Sequence, residues 1–145
     1  MNQEEYIEQR VDNQLHWYSA KSMINKKMHL GTRGLVIIFS AFIPFAAGFS
    51  ETHPDHLYLN YLIGVLGMLV AIIAGVSALM KYQEKWVKYR STAEALNREK
   101  YMFMTLSGNY RDEKDPFHLL VTRVENIIAL ENTMWSEFMN EDEKL

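Results

Sequence analysis

With 145 residues, 48% of them apolar and 23% charged, and a net charge of −3, the chain is long enough for one domain and too weakly charged to argue for a nucleic-acid partner. It has no cysteine, which excludes disulfides, thiolate chemistry and cysteine-based zinc sites and leaves the redox compartment open. Apolar residues concentrate in two runs with the charges outside them, so the chain reads as an all-α integral membrane protein with polar ends.

Residues 1–29 carry acids as well as bases and no apolar core with a cleavage site, which predicts no removable signal peptide. Ile7, Val11, Leu15 and Tyr18, followed by Trp17, Ala20, Ile24 and Met28, recur at helical spacing over a stretch free of Gly and Pro. This predicts an amphipathic helix in the cytosol. Trp17 lies about 25 Å along such a helix from the apolar run, too far for an interface anchor, and is read as a bundle contact.

Residues 30–80 form a transmembrane hairpin with spans at about 30–50 and 57–80. The first is completed by extending Gly34–Ser50 back to Leu30 and letting Arg33 snorkel to the headgroups. Pro44 predicts a kink near its middle that Ser40 or a neighbouring helix must partly satisfy, and such a kink can act as a gate hinge. The connection, residues 51–56, holds Glu51 and Asp55 and no Lys or Arg, whereas Lys21, Lys26, Lys27 and Arg33 precede the first span and Lys81, Lys85, Lys88 and Arg90 follow the second. The positive-inside rule then puts both termini in the cytoplasm, and the same basic flank attracts anionic lipid.

The second span, uncharged from Leu57 to Met80, rises roughly 36 Å against a hydrocarbon core of about 30 Å. Gly67, Ala71 and Gly75, with Gly64, Ala74 and Ala78 close by, leave one face nearly free of bulk for another helix, either the first span or a second subunit. No Gly or Pro follows until Gly108, and Tyr82, Trp86, Tyr89, Ala93, Leu96 and Phe103 keep alternating four- and three-residue steps. One unbroken helix from Leu57 to Phe103 is therefore expected. Residues 81–145 close as a cytosolic helical hairpin: SGNYRDEKD turns the chain, Asp115 caps a helix with Pro116 in its first position, and Phe117, Val121, Val124, Ile128, Glu131, Trp135 and Phe138 repeat the stripe antiparallel to the exit helix. The N-terminal helix, the exit helix and this last helix make a cytosolic bundle. Packing within one chain is the first use of the stripe and assembly between copies the competing one. Counting back from the turn puts Arg98 opposite Glu125 and Glu131 near Arg90, which would neutralise an otherwise costly carboxylate. Glu94 with Arg98 is a four-residue surface pair.

No nucleophile elbow, phosphate-cradling loop or zincin motif is present, so no catalytic residue, cofactor or metal is assigned and the chain is not read as an enzyme. Two helices cannot enclose a water path, so a pore requires several copies of the chain. Ser40, Asn60, Gly64, Gly67 and Ser77 are the candidate pore-lining residues, although Asn60 and Ser77 equally suit hydrogen bonding between helices. Glu51 and Asp55, repeated around an axis, would form an outer acidic ring favouring cations. The competing reading is a membrane-anchored interaction module in which the hairpin only tethers the bundle.

Taken together, residues 82–103 (YQEKWVKYRSTAEALNREKYMF), residues 14–29 (QLHWYSAKSMINKKMH), Ile43-Pro44-Phe45 and residues 123–135 (RVENIIALENTMW) resemble the bacterial SLATT group of two-transmembrane effector domains associated with SMODS and SLOG proteins. The resemblance implies a pore-forming effector of the bacterial inner membrane, deployed in conflict systems beside a nucleotide-signalling or sensor protein. It singles out Trp86, Tyr89, Arg90, Glu94, Leu96 and Glu99 in the exit helix and Glu125, Glu131 and Trp135 in the last one, for bundle architecture or signal coupling to a gate.

Overall fold

The computed structural model describes the backbone of residues 2–52 and 58–142, and the side chains of these residues except 51, 52 and 134–142. Among the described residues the fold is all-α, without a strand. Its elements are α1 (Gln3–Tyr6), a π-helical segment (Ile7–Asp12), α2 (Asn13–Thr52), α3 (Tyr58–Met80), α4 (Tyr82–Met104), a short 3-10 turn (Gly108–Tyr110) and α5 (Pro116–Asp142). They divide into two compact units: a bundle of Met1–Ser22 with Val87–Leu145, and a hairpin of Met23–Trp86.

In the bundle, α1 is started by a reciprocal cap: the Glu5 amide donates to Asn2 Oδ1 at 2.8 Å and the Asn2 amide to Glu5 Oε2 at 3.3 Å. The π-helical turn that follows solves a register problem. Tyr6 and Val11 are five residues apart, a spacing that an α-helix would turn onto different faces, yet both are buried, at 4% and 0% exposure. The wider turn absorbs the extra residue, and Asn13 Nδ2 satisfies the Gln9 carbonyl at 2.8 Å. With Tyr18 from α2, Tyr89, Ala93 and Leu96 from α4, Tyr110 from the turn, and Leu120, Val124 and Ile128 from α5, these residues make one core. The stripe on α4 is thus consumed inside the chain.

α4 ends in a Schellman pattern: the Ser107 amide donates to the Met102 carbonyl at 3.0 Å and the Leu106 amide to the Phe103 carbonyl at 3.1 Å, with Leu106 left-handed at φ 47°. Gly108 has φ 59°, and a Cβ there would stand 3.1 Å from Met102 Cε. The expected start of α5 is observed, with Pro116 as its first residue and the His118 amide donating to Asp115 Oδ1 at 3.1 Å.

The hairpin holds two helices long and apolar enough to cross a membrane. The boundary expected near residue 30 does not interrupt α2, which runs through Gly31, Gly34 and Pro44 as one helix. Two glycines lower helix propensity without ending a helix, and Thr32 Oγ1 donates back to the Met28 carbonyl at 2.8 Å. By contrast, the unbroken helix expected from Leu57 to Phe103 is broken. Lys81 stands between α3 and α4 at φ 48°, with its amide donating to the Ala78 carbonyl at 3.4 Å. A left-handed residue other than glycine costs about 1–2 kcal/mol, and no breaker residue announces it here.

α2 and α3 are antiparallel and tied near both ends, by Thr32 Oγ1 and Ser77 Oγ at 3.2 Å and by Ser50 Oγ donating to Asn60 Oδ1 at 2.9 Å. The covered positions of α2 include Asn25, His29, Thr32, Val36, Phe39, Ile43, Ala46 and Ser50, and those of α3 Leu59, Ile63, Leu66, Val70, Ile73 and Ser77. Both sets alternate four- and three-residue steps, a seam of coiled-coil type.

The π-helical register gives a test. Deleting exposed Glu8 removes the extra residue and leaves Tyr6 and Val11 four apart, on one α-helical face. It is expected to shift bundle stability by about 1 kcal/mol or less, whereas deleting His16 rotates everything before it by about 100° and should abolish cooperative unfolding of the bundle. Thermal unfolding followed by circular dichroism in detergent distinguishes the two.

Candidate functional site

Three carboxylates sit in or against the bundle core, and each accepts a hydrogen bond from a buried tyrosine. Glu99 on α4 is 6% exposed, and its Oε2 accepts from Tyr110 Oη at 2.7 Å and from Arg123 Nε at 2.9 Å. Glu125 on α5 is gripped at both oxygens by Arg10, Nε to Oε1 at 2.9 Å and Nη2 to Oε2 at 2.8 Å, and Tyr6 Oη donates to Oε1 at 3.2 Å. The Arg10 and Glu125 side chains are 39% and 43% exposed, so water screens this fork and it contributes about 1 kcal/mol or less. A further pair joins Lys100 to Asp12 at 2.5 Å.

The third site is incomplete. Glu131 on α5 is 4% exposed; its Oε2 accepts from Tyr18 Oη at 3.2 Å, and its Oε1 has no hydrogen-bond partner among the described residues. Around it Trp17 stands edge-on to Tyr18 and Tyr89, at 4.9 and 5.7 Å between ring centroids. Glu99 and Glu125 each have an arginine within salt-bridge distance; for Glu131 the described residues supply none.

These surroundings move the tyrosines upward. Tyr6 is pushed up to about 12, by burial first and then by the Glu125 charge. Burial, followed by the Glu131 charge, holds Tyr18 well above the ordinary tyrosine value of 10.0, and the same two causes raise Tyr89. Burial and the hydrogen bond to Glu99 raise Tyr110. Glu125 moves the other way, below its ordinary 4.5, chiefly through the hydrogen bonds from Arg10.

The expected carboxylate partners are therefore corrected. Arg90 does not reach Glu131: it pairs with Glu94 on the exposed surface of its own helix, and Glu94 accordingly takes Arg90 in place of Arg98. Glu125 is held by Arg10 from the N-terminal segment in place of Arg98. Counting along an antiparallel pair omits the third helix, which supplies Tyr6, Arg10 and Tyr18. An acid inside an apolar stripe signals that a donor must face it, and the tyrosines on the facing stripes are the residues that meet the demand.

In the hairpin, Asn60 and Ser77 are the residues that tie α3 to α2. Ser40 and Pro44 are exposed on α2, and a Cβ added to Gly64, Gly67 or Gly75 would meet nothing within 4 Å. At about 100° per residue, the face of Gly64, Ala71, Gly75 and Ala78 lies roughly 120° around α3 from the seam with α2. The first span does not fill it. Trp86 is half-buried beside Lys26 and His29. Asp55 and the side chains of Glu51 and Trp135 lie outside the described residues.

A family described as a protein of unknown function (DUF4231) matches residues 13–118, nearly three quarters of the chain. The match takes in both apolar helices, Glu99 and Tyr110, and ends before Arg123, Glu125 and Glu131. Comparison with curated proteins and with solved structures yields no match.

Two predictions concern these carboxylates. Tyr18→Phe alone leaves Glu131 without its donor and should cost roughly 1.5–3 kcal/mol, while adding Glu131→Leu removes the buried charge as well and should recover most of the loss. A double-mutant cycle on thermal unfolding measures this coupling, and additive losses would refute it. The second is a pH profile. The depressed carboxyl of Glu125 contributes stability above 4.5 that is lost as pH falls through its folded value, and the raised tyrosines contribute stability below 10.0 that is lost as pH rises toward about 12. Glu125→Gln should flatten the acid limb and Tyr6→Phe the alkaline one, read as unfolding midpoints against pH.

Proposed function

We propose that this chain, which belongs to the DUF4231 family of proteins of unknown function, crosses the membrane with its hairpin and assembles with copies of itself into a cation-permeable pore gated through the bundle. The observation that carries the reading is the glycine and alanine face of α3, which is open and turned away from α2. In lipid, where apolar burial does not drive helices together, small residues that let backbones approach are the common basis of helix association. The stripe on α4 is occupied within the chain, so the hairpin is the better assembly surface.

The basic residues beside the hairpin and the acids of the connection support an orientation with both termini in the cytoplasm, and the resemblance to the SLATT group supports a bacterial inner membrane. On that reading the protein is an effector answering to a nucleotide-signalling or sensor protein. Glu131 is the gating element: a buried acid with one oxygen unmet among the described residues keeps that part of the bundle less stable than an apolar core would be, and a partner docking there can shift it. With Asn60 and Ser77 engaged in the seam, Ser40, Gly64 and Gly67 remain as lining residues and Glu51 and Asp55 as the outer acids.

A second reading is favoured by that same engagement. A hairpin that spends its polar side chains on its own seam suits a tether, with the bundle as the docking module. Liposomes containing the purified chain are expected to pass sodium and potassium and to hold chloride. Gly75→Leu, on the open face, should lower the flux roughly tenfold, the equivalent of about 1.4 kcal/mol of assembly free energy, with helicity unchanged. No flux from inserted oligomers would transfer the reading to the tether.

A further inference from the structure

The hairpin unit extends past its apolar runs at one end, reaching back along α2 to Met23 and forward beyond Met80 to Trp86. These extensions add a layer roughly 9–10 Å deep at about 1.5 Å per residue. The polar zone on each side of a hydrocarbon core is about 5–8 Å deep, so the layer has the depth of a headgroup region.

Its side chains are arranged to match. The Lys26 ammonium stands 5.4 Å over the centroid of the Trp86 ring, and the His29 imidazole lies beside the same ring at 6.3 Å with a tilt of 32°. These contacts join the two helical segments of the layer. Lys26, Lys27, Arg33, Lys81 and Lys85 gather at this end of the unit, against the one carboxylate of Glu84. Between the cations, Met23, Ile24, Met28 and Leu30 point outward at 57, 57, 45 and 55% exposure. Apolar groups facing out between lysines suit a surface that is itself layered, with acyl chains beside charged headgroups. A flank that only sets topology needs the charge and no arrangement; here one lysine is fixed over an aromatic ring at the depth where tryptophan is enriched.

We propose that this collar binds anionic phospholipid headgroups, with Lys26, Lys27, Arg33 and Lys85 meeting the phosphates and Trp86 holding Lys26 in place. The proposal rests on the reading of the hairpin as membrane-embedded. Charge complementarity selects the occupant: Lys26, Lys27, Lys81 and Lys85 in the layer, joined by Arg33 snorkelling back from about one turn deeper on α2, match the negative leaflet surface, and the outward apolar side chains match lipid and not a soluble anion.

The test is electron spin resonance on the full-length chain in phosphatidylcholine bilayers doped with spin-labelled phosphatidylglycerol or spin-labelled phosphatidylcholine. The expected result is a motionally restricted fraction favouring phosphatidylglycerol by roughly fivefold, about the attraction of one basic residue to an anionic surface. That preference should fall toward unity in the Lys26→Gln/Lys27→Gln/Arg33→Gln/Lys85→Gln variant, survive in the matching Lys→Arg variant, and collapse in molar salt. Added inorganic phosphate should not displace the lipid. Equal restriction of both lipids, a preference unchanged in the Gln variant, or displacement by phosphate would overturn the proposal while leaving the hairpin in the bilayer. No restricted component with either lipid would overturn the membrane reading as well. The restricted phosphatidylcholine fraction reports insertion of each variant, and the salt arm needs no variant.

Discussion

A carboxylate leaves water only where donors meet it, and the bundle is organised by that requirement. Each of Glu99, Glu125 and Glu131 is faced by a tyrosine hydroxyl from another part of the unit, and the donor residues are spread over the N-terminal segment, the 3-10 turn and α5. The tyrosine ring fills apolar volume while its hydroxyl delivers a proton donor at the end of a rigid lever, so one residue serves the core and the acid together. The third site, where one oxygen has no partner among the described residues, is where the bundle retains a cost that a leucine would remove.

The π-helical turn follows from the same need. An unbroken α-helix from Gln3 onward would carry Tyr6 away from the face that Val11 and Tyr18 occupy, and Glu125 would lose its tyrosine. The additional residue in the turn restores the register and places Arg10 beside the same carboxylate. A local irregularity in one helix thus supplies both donors of the Glu125 site.

In the hairpin, different faces of the helices have different work. The seam between α2 and α3 uses large apolar residues with a hydrogen bond near each end, and the small residues of α3 lie about a third of a turn away. Among the described residues, large exposed apolar side chains line α2 and α3, the two helices long and apolar enough to cross a membrane.

Much of this is written along the chain. Apolar run length, helical spacing and the Asp115-Pro116 start determined that the fold is all-α, where α5 begins, and which two helices are long and apolar enough to cross a membrane, because each depends on residues within a few turns of one another. The break at Lys81, the π-helical turn and the continuity of α2 past Gly31 and Gly34 were not legible, since no residue type marks them. The partners of Glu125 and Glu131, the exposed pairing of Arg90 with Glu94, and the face on which α3 meets α2 were decided by tertiary structure alone. A donor is chosen by proximity in three dimensions, and spacing along two helices cannot reveal which side chains a third one brings to the same carboxylate.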